Sequence, residues 1–131
     1  MSDTLKIWLG LPPRELSPNA RVHWAAKARA VKAYRQEAYL EAKLRMVVAY
    51  AKENGARDFP WPGARLRAEF HFLTKRKRDT HNFAASLKPA LDGFADAGIV
   101  KDDTTIYIVG VRIVAGAPKP GVEIELARSE A

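Results

Sequence analysis

The longest patterned stretch of this sequence is a run of helix-forming residues from position 22 to position 54. It is rich in Ala, Glu, Lys, Arg and Leu, which favour the α-helix. Apolar residues recur through it at helical spacing and predict one apolar stripe: Ala30, Ala33, Tyr34, Leu40, Leu44, Val47 and Ala51. Asn54 and Gly55 form a helix stop. The chain is therefore built around one long helix, and the other segments must supply the layer against which its apolar stripe packs.

Four shorter segments alternate apolar and polar residues with the period of a β-strand. They cover residues 5–11, 64–74, 104–114 and 122–126. A second helix is predicted over residues 81–97, with Gly98 ending it. The last two strands are expected to pair as a hairpin. The predicted fold is α+β, in the order β-α-β-α-β-β. It is a small mixed sheet with two main helices packed on it, in one domain over residues 1–131.

The composition excludes several kinds of site. The chain has no cysteine, so disulfides, thiolate zinc sites and cysteine nucleophiles are excluded. Any metal must therefore be held by carboxylate, imidazole, amide or water. The N-terminus lacks the apolar run of a signal peptide, and no stretch approaches the ~20 apolar residues of a membrane span. We expect a cytoplasmic protein with no membrane contact.

A formal net charge of +7 suggests a polyanionic partner, with nucleic acid the first candidate. The charge is concentrated in four consecutive cations, Lys75, Arg76, Lys77 and Arg78, which directly precede Asp79. Neighbouring cations lower the cost of ionising a carboxylate, and they can hold a phosphate backbone beside it. A nuclease needs both features, because carboxylates hold a divalent cation and cations hold the strand that is cut.

Further charged residues follow in the second predicted helix and after it. Lys88 and Asp92 are spaced as an i, i+4 pair, although Pro89 either kinks this helix or marks its true start. Asp102 and Asp103 stand in a turn just ahead of a strand. Taken alone, two such carboxylates more often cap a backbone N–H than bind a metal.

Taken together, these residues resemble the RusA-type endodeoxyribonucleases, a family of Holliday junction resolvases. The family pattern is a basic run, Asp-x-Asp-Asn, a helix bearing Lys and then Asp, Ala-Gly-hydrophobic, and finally Asp-Asp. The counterparts here are Asp79-Thr80-His81-Asn82, Lys88, Asp92-Gly93, Ala97-Gly98-Ile99 and Asp102-Asp103. From Lys88 to Asp103 the match needs no gap.

The resemblance implies a homodimer that cuts opposed strands of a four-way DNA junction in recombination or repair. It implies that aspartates bind Mg²⁺, with Mn²⁺ as an alternative, that the helix lysine assists cleavage, and that no small-molecule cofactor is needed. The implied catalytic residues are Asp79, Lys88 and Asp103. The implied metal ligands are Asp79, Asp102 and Asp103, and His81, which stands where the family has its second aspartate, is a further candidate ligand. The basic run at 75–78 would bind DNA, and Asn82 and Asp92 are candidates of second rank.

The sequence departs from the family pattern in two places. His81 replaces the second aspartate of the first motif. The segment between Asn82 and Lys88 is longer than in the best-known members of the family. His81 can be a metal ligand, can carry a proton near neutral pH, or can mark the loss of a ligand and of activity. Two other functions therefore stay open: a branched-DNA-binding protein of the same fold with weakened or no cleavage, and a small basic RNA-binding protein.

The three tryptophans carry weaker expectations. Trp24 is predicted to pack rather than to stack on a base. Trp8 and Trp61 are candidates for exposed contacts with DNA or with a second subunit.

Overall fold

The structure is a computed structural model and describes residues 3–130. Its seven main elements, in chain order, are β1 (Thr4–Leu9), α1 (Trp24–Ala51), β2 (Gly63–Phe72), α2 (Thr80–Ser86), α3 (Lys88–Ala97), β3 (Ile106–Ala115) and β4 (Gly121–Ser129). Two single-turn 3-10 helices lie at Arg14–Leu16 and Asp103–Thr105. The α+β class, with a small mixed sheet and helices packed on it, is confirmed.

The predicted hairpin between the last two strands is wrong. The strand order in the sheet is β1-β4-β2-β3, so β4 lies between β1 and β2 and pairs antiparallel with both. β3 pairs parallel with β2 at the sheet edge. The loop from β3 to β4 crosses the end of β2, where the backbone N–H of Ala117 donates to Phe72 O over 2.8 Å. A short loop permits a hairpin, but here the loop bonds to β2 and carries the chain past it.

The sheet buries one face beneath the helices. Its buried residues on β1, β2 and β4 alternate along each strand: Leu5, Ile7, Leu9, Ala64, Leu66, Ala68, Phe70, Val122, Ile124 and Leu126. The intervening residues carry charge or an aromatic ring: Lys6, Trp8, Arg65, Arg67, Glu69, His71, Glu123 and Glu125. Period-2 alternation therefore gives this sheet one apolar face and one polar face, as expected for strands solvated on one side.

The apolar stripe predicted for α1 is only partly buried. Ala30 and Tyr34 lie in the core, but Leu40, Leu44 and Val47 are exposed by 55%, 47% and 66%. The buried face continues instead through small residues, Ala38, Ala42 and Ala49. Because this helix has apolar residues on two sides, helical periodicity alone could not identify the side that packs.

The second predicted helix is two helices. α2 ends at Ser86 and α3 begins at Lys88, with Leu87 as the cap of both. Pro89 stands in the first turn of α3. Proline has no N–H to donate to the carbonyl four residues earlier, so a continuous helix would lose a bond at this point. His81 and Lys88 therefore belong to different helices.

Two predictions for tryptophan are also corrected. Trp61 is 1% exposed, and its Nε1 donates to Arg57 O over 2.8 Å, so it is a core residue. Trp24, predicted to pack, is 76% exposed at the start of α1. None of the helices within residues 3–130 combines the length and the apolar character needed to cross a bilayer.

Candidate active site

The charged residues after α2 meet at Lys88, the first residue of α3. Its Nζ donates to Asp92 Oδ1 over 2.8 Å, one helical turn along, and to Asp103 Oδ2 over 2.5 Å. Asp103 reaches Lys88 because α3 ends at Gly98, whose φ of 96° reverses the chain. The side chains of Ile99 and Val100 are then completely buried, which fixes the segment that leads back to Lys88. Three charged residues of the segment that resembles the RusA family thus form one cluster.

The ion pairs of this cluster favour the charged forms of its members. The hydrogen bond from Lys88, and then its charge, hold the pKa of the Asp103 carboxyl below its ordinary value. In return, Asp103 first and Asp92 second raise the pKa of the Lys88 ammonium. The contact therefore favours the ammonium form of Lys88 and the carboxylate form of Asp103.

A second ion pair joins α1 to α3, and sequence reasoning missed it. Arg35 binds both oxygens of Asp96, with Nε–Oδ2 at 2.6 Å and Nη2–Oδ1 at 2.8 Å. The hydrogen bonds to Asp96 raise the pKa of Arg35, and the charges of Asp92 and Asp103 add to this effect. The sequence held one indication of this pair: Asp96 stands one helical turn after Asp92, so both carboxylates lie on the same side of α3. Its partner on α1 could not be identified without the fold.

Asp79 and His81 lie at the start of α2. Asp79 caps this helix, since its Oδ1 accepts from the backbone N–H of His81 over 2.9 Å. Asp102 has the same role at the next 3-10 turn, where its Oδ1 accepts from Thr104 N over 2.9 Å. Each of these two hydrogen bonds uses the Oδ1 atom of the carboxylate, and the side chain of Asp102 also interacts with Asp103.

Within the described part of the chain, residues 3–130, no three of the predicted metal ligands come together in this conformation. The one group of three or more His, Asp or Glu side chains with ligand atoms within 4.8 Å of one another is Glu69, His71 and Glu123, on the polar face of the sheet. Asp79 and His81 lie at α2, whereas Asp102 and Asp103 lie at the turn after α3.

A groove runs beside Asp79, with a volume of about 410 Å³. One wall is the segment after β1, including Pro12, Pro13 and Arg14, and the other is the basic run together with α2. Its polar lining residues are Arg14, Ser17, Arg76, Lys77, Arg78, Asp79, Asn82 and Ser86. Four cations and one carboxylate thus line one open groove, which suits a polyanionic strand.

The four residues of the basic run are not equivalent. Arg78 is bound to its own segment: its Nη1 donates to Arg76 O over 2.7 Å, and its Nη2 bonds to Thr74 Oγ1. Its guanidinium also lies 3.9 Å from the centre of the Phe72 ring. Arg76 and Lys77 are exposed along the groove. Arg78 therefore shapes the loop, and the exposed pair remains available to an external anion.

The chain is similar to known proteins over most of its length. The family model for endodeoxyribonuclease RusA matches residues 13–127. The chain is also similar to an uncharacterized protein of Xylella fastidiosa (strain Temecula1), with 37% identity over 94 residues. This match covers 66% of the chain and 52% of the relative, so the chain spans about half the length of that curated relative. Because the family model covers most of the sequence, the chain belongs to the RusA family of endodeoxyribonucleases.

Proposed function

We propose that this protein is a metal-dependent endodeoxyribonuclease that cleaves Holliday junctions or related branched DNA in recombination or repair. The observation that carries the proposal is the position of Lys88 between Asp92 and Asp103. In this family member, the lysine and the final aspartate are 15 residues apart yet in direct contact. Phosphodiester hydrolysis needs a cation beside carboxylates and a basic surface that holds the strand, and this chain carries both.

The metal ligands that we propose are Asp79 and Asp103, with His81, Asp102 or water completing the coordination shell. Carboxylate oxygens suit Mg²⁺, and the imidazole makes Mn²⁺ a second candidate. The donor types fit such an ion, because the carboxylates of Asp79 and Asp103 offer oxygen ligands and Asp79 uses only Oδ1 for its capping hydrogen bond. When bound, the divalent cation would polarise the phosphate and activate a water for attack.

The role of Lys88 follows from its contacts. Its side chain is 60% exposed, so the ammonium can reach a phosphate without leaving α3. We propose that it neutralises the charge that builds on the phosphoryl or leaving oxygen during cleavage. Asp92 would hold the ammonium at that position, and Arg35 would keep α3 in place through Asp96.

We propose that the groove beside α2 binds the DNA backbone through Arg76 and Lys77, with Arg14 on the opposite wall. Such contacts position a duplex without reading its bases, so branched DNA would be recognised by shape. Asn82 lines the same groove and lies one residue from His81. It would therefore help to orient the strand next to Asp79.

The protein is proposed to act as a homodimer, one catalytic site for each of the two strands that must be cut. This part of the proposal rests on the family alone. A sedimentation experiment on the full chain would give a mass near twice 14.6 kDa if it is correct. A monomer that cuts both strands would contradict it.

The decisive experiment is a nicking assay on a synthetic four-way junction with Mg²⁺ or Mn²⁺. We expect symmetric cuts by the wild type and a loss of about 10²-fold or more in rate for Lys88→Met and Asp103→Asn. Lys101→Met and Asp58→Asn are matched controls, since both residues are exposed and neither contacts the Lys88 cluster. Full cleavage by Lys88→Met or Asp103→Asn would overturn the assignment.

Two observations favour a second candidate, a junction-binding protein that does not cut. His81 replaces a carboxylate, and the predicted ligands do not form a three-ligand group within residues 3–130. Tight binding of a four-way junction without cleavage in either metal would support this function. Equal affinity for linear and branched duplex would contradict both the nuclease and the junction-binding function. If RNA then binds more tightly than DNA, the result would favour the RNA-binding alternative.

A further inference from the structure

The polar face of the sheet carries a group of side chains that the proposed nuclease mechanism does not use. Glu69 and His71 stand two residues apart on β2, so both point to the same face. Glu123 lies directly opposite Glu69 on β4, which pairs antiparallel with β2. One ring nitrogen of His71 and one oxygen of each glutamate lie within 4.8 Å of one another.

The spacing of these atoms is close to that of a coordination shell. Two ligands bound at about 2.1 Å to a common ion lie at most about 4.2 Å apart. Small rotations of the two flexible glutamate side chains therefore suffice to bring all three atoms around one ion. The backbones that carry them are fixed by the β2–β4 ladder, so the group is held together before any ligand arrives.

The charges of the group favour a cation. Two carboxylates that lie directly opposite on neighbouring strands repel each other. The charge of Glu69 is compensated in part by Arg112, whose Nη1 lies 3.2 Å from Glu69 Oε2, and Glu69 Oε1 lies 3.2 Å from His71 Nε2. Glu123 is half-buried and makes no salt bridge to any residue in the described range 3–130. A divalent ion at this point would neutralise it.

The imidazole is held in place from its other side. The rings of Trp8 and His71 meet edge to face, with centroids 5.3 Å apart. Lys119 lies over the Trp8 ring at 5.0 Å. A fixed ring orientation lowers the cost of directing a nitrogen towards a metal. It also makes Trp8 a spectroscopic reporter of events at His71.

We propose that Glu69, His71 and Glu123 bind one Zn²⁺, at a site separate from the Asp79–Asp103 segment. Two carboxylates and one imidazole accept several divalent ions, and among these Zn²⁺ binds such donors more tightly than Mn²⁺. Three protein ligands leave a position for water, and the bound ion links β2 to β4. The His71 ring gives up its contact with Glu69 and binds in its neutral form.

The test is calorimetric titration of Zn²⁺ into the full chain, wild type and variants. Substitution of residues that only support a metal ligand costs about 10- to 100-fold in affinity. We therefore expect His71→Gln and Glu123→Gln each to weaken Zn²⁺ binding at this site by at least about tenfold. Glu125→Gln is the matched control, since Glu125 lies two residues along β4 on the same face and outside the group. Its affinity should equal that of the wild type.

Further readouts characterise this site and separate it from the proposed catalytic site. Asp103→Asn should leave the Zn²⁺ affinity of the sheet site unchanged, whether or not it cleaves DNA. Zn²⁺ should alter tryptophan fluorescence in the wild type, and Trp8→Phe should abolish that change. Zn²⁺ should also raise the Tm of the wild type, because an ion that binds only the folded state stabilises it.

Several outcomes would overturn the proposal. These are no Zn²⁺ binding by the wild type at millimolar concentration, wild-type affinity in Glu123→Gln, or equal losses in Glu125→Gln and Glu123→Gln. Misfolding does not obscure the result, because Glu123→Gln removes a like-charge contact. This variant should fold at least as stably as the wild type without metal, which thermal unfolding checks directly.

Discussion

The two ion pairs of the candidate active site differ in how tightly they fix their side chains. Arg35 presents a planar guanidinium to both oxygens of Asp96, which sets the orientation of both groups. Lys88 presents one ammonium to two carboxylates and has rotatable donors on a flexible stem. Arg35 is therefore suited to hold α3 against α1, whereas Lys88 can exchange a carboxylate for a phosphate.

The Arg35–Asp96 pair makes a prediction about acid stability. Hydrogen bonds from Arg35, and then its charge, lower the pKa of the Asp96 carboxyl. The pair therefore stabilises the fold above the unfolded pKa of about 3.9, and this contribution is lost as the pH falls through the lowered folded value. An NMR titration of Asp96 should give a midpoint below about 3.9, and Arg35→Gln should raise it.

The same variant should change neutral-pH stability little. Arg35 and Asp96 side chains are 48% and 39% exposed, so the loss should not exceed about 1 kcal/mol. If the midpoint of Asp96 does not move in Arg35→Gln, the ion pair does not form in solution.

At the scale of elements, the contact between α1 and α3 positions the site. α1 contributes small residues, Ala38 and Ala42, and α3 contributes Gly93. A Cβ at Gly93 would lie 2.4 Å from Arg35 O and 2.9 Å from Ala38 Cβ. The helices are therefore close enough for Arg35 to reach Asp96, and the closeness depends on the absence of a side chain at Gly93.

Gly93→Ala should consequently destabilise the fold, although alanine favours the helix by about 1 kcal/mol. The nearest atom is a backbone carbonyl and cannot rotate away, so the helices must separate, at a cost of about 1–3 kcal/mol. We expect a lower urea midpoint and a weaker Arg35–Asp96 pair. Gly10→Ala is the control, because its nearest atom would be Glu37 Oε2 at 3.5 Å. Equal stability of the Gly93→Ala variant and the wild type would contradict close helix packing.

At the scale of the whole molecule, charge is distributed unevenly. The groove beside α2 collects Arg14, Arg76, Lys77 and Arg78. The polar face of the sheet carries Glu69, Glu123 and Glu125 together with its own cations. A polyanion is therefore expected to bind at the groove, where one carboxylate, Asp79, is present among four cations.

This distribution predicts how salt affects DNA binding. Each phosphate contact contributes about 0.9 to the slope of log affinity against log salt for duplex DNA. Arg76→Gln with Lys77→Gln should therefore reduce the slope by about 1.8 and weaken binding to every sequence alike. Lys6→Gln with Lys52→Gln, outside the groove, should change neither quantity. An unchanged slope in the Arg76 and Lys77 variant would place the DNA elsewhere.

The sequence by itself determined the kinds of element, their order and the charged motifs, because periodicity, helix caps and residue spacing act over a few residues. It also predicted Lys88, Asp92 and Asp103 as candidate site residues. These residues contact one another within α3 and the turn that follows it. Only the tertiary structure decided that β4 lies between β1 and β2, that Arg35 meets Asp96 from 61 residues away, and that Glu69, His71 and Glu123 form one group. These contacts depend on which apolar faces pack together, and local patterns leave that choice open when a helix such as α1 has two apolar sides.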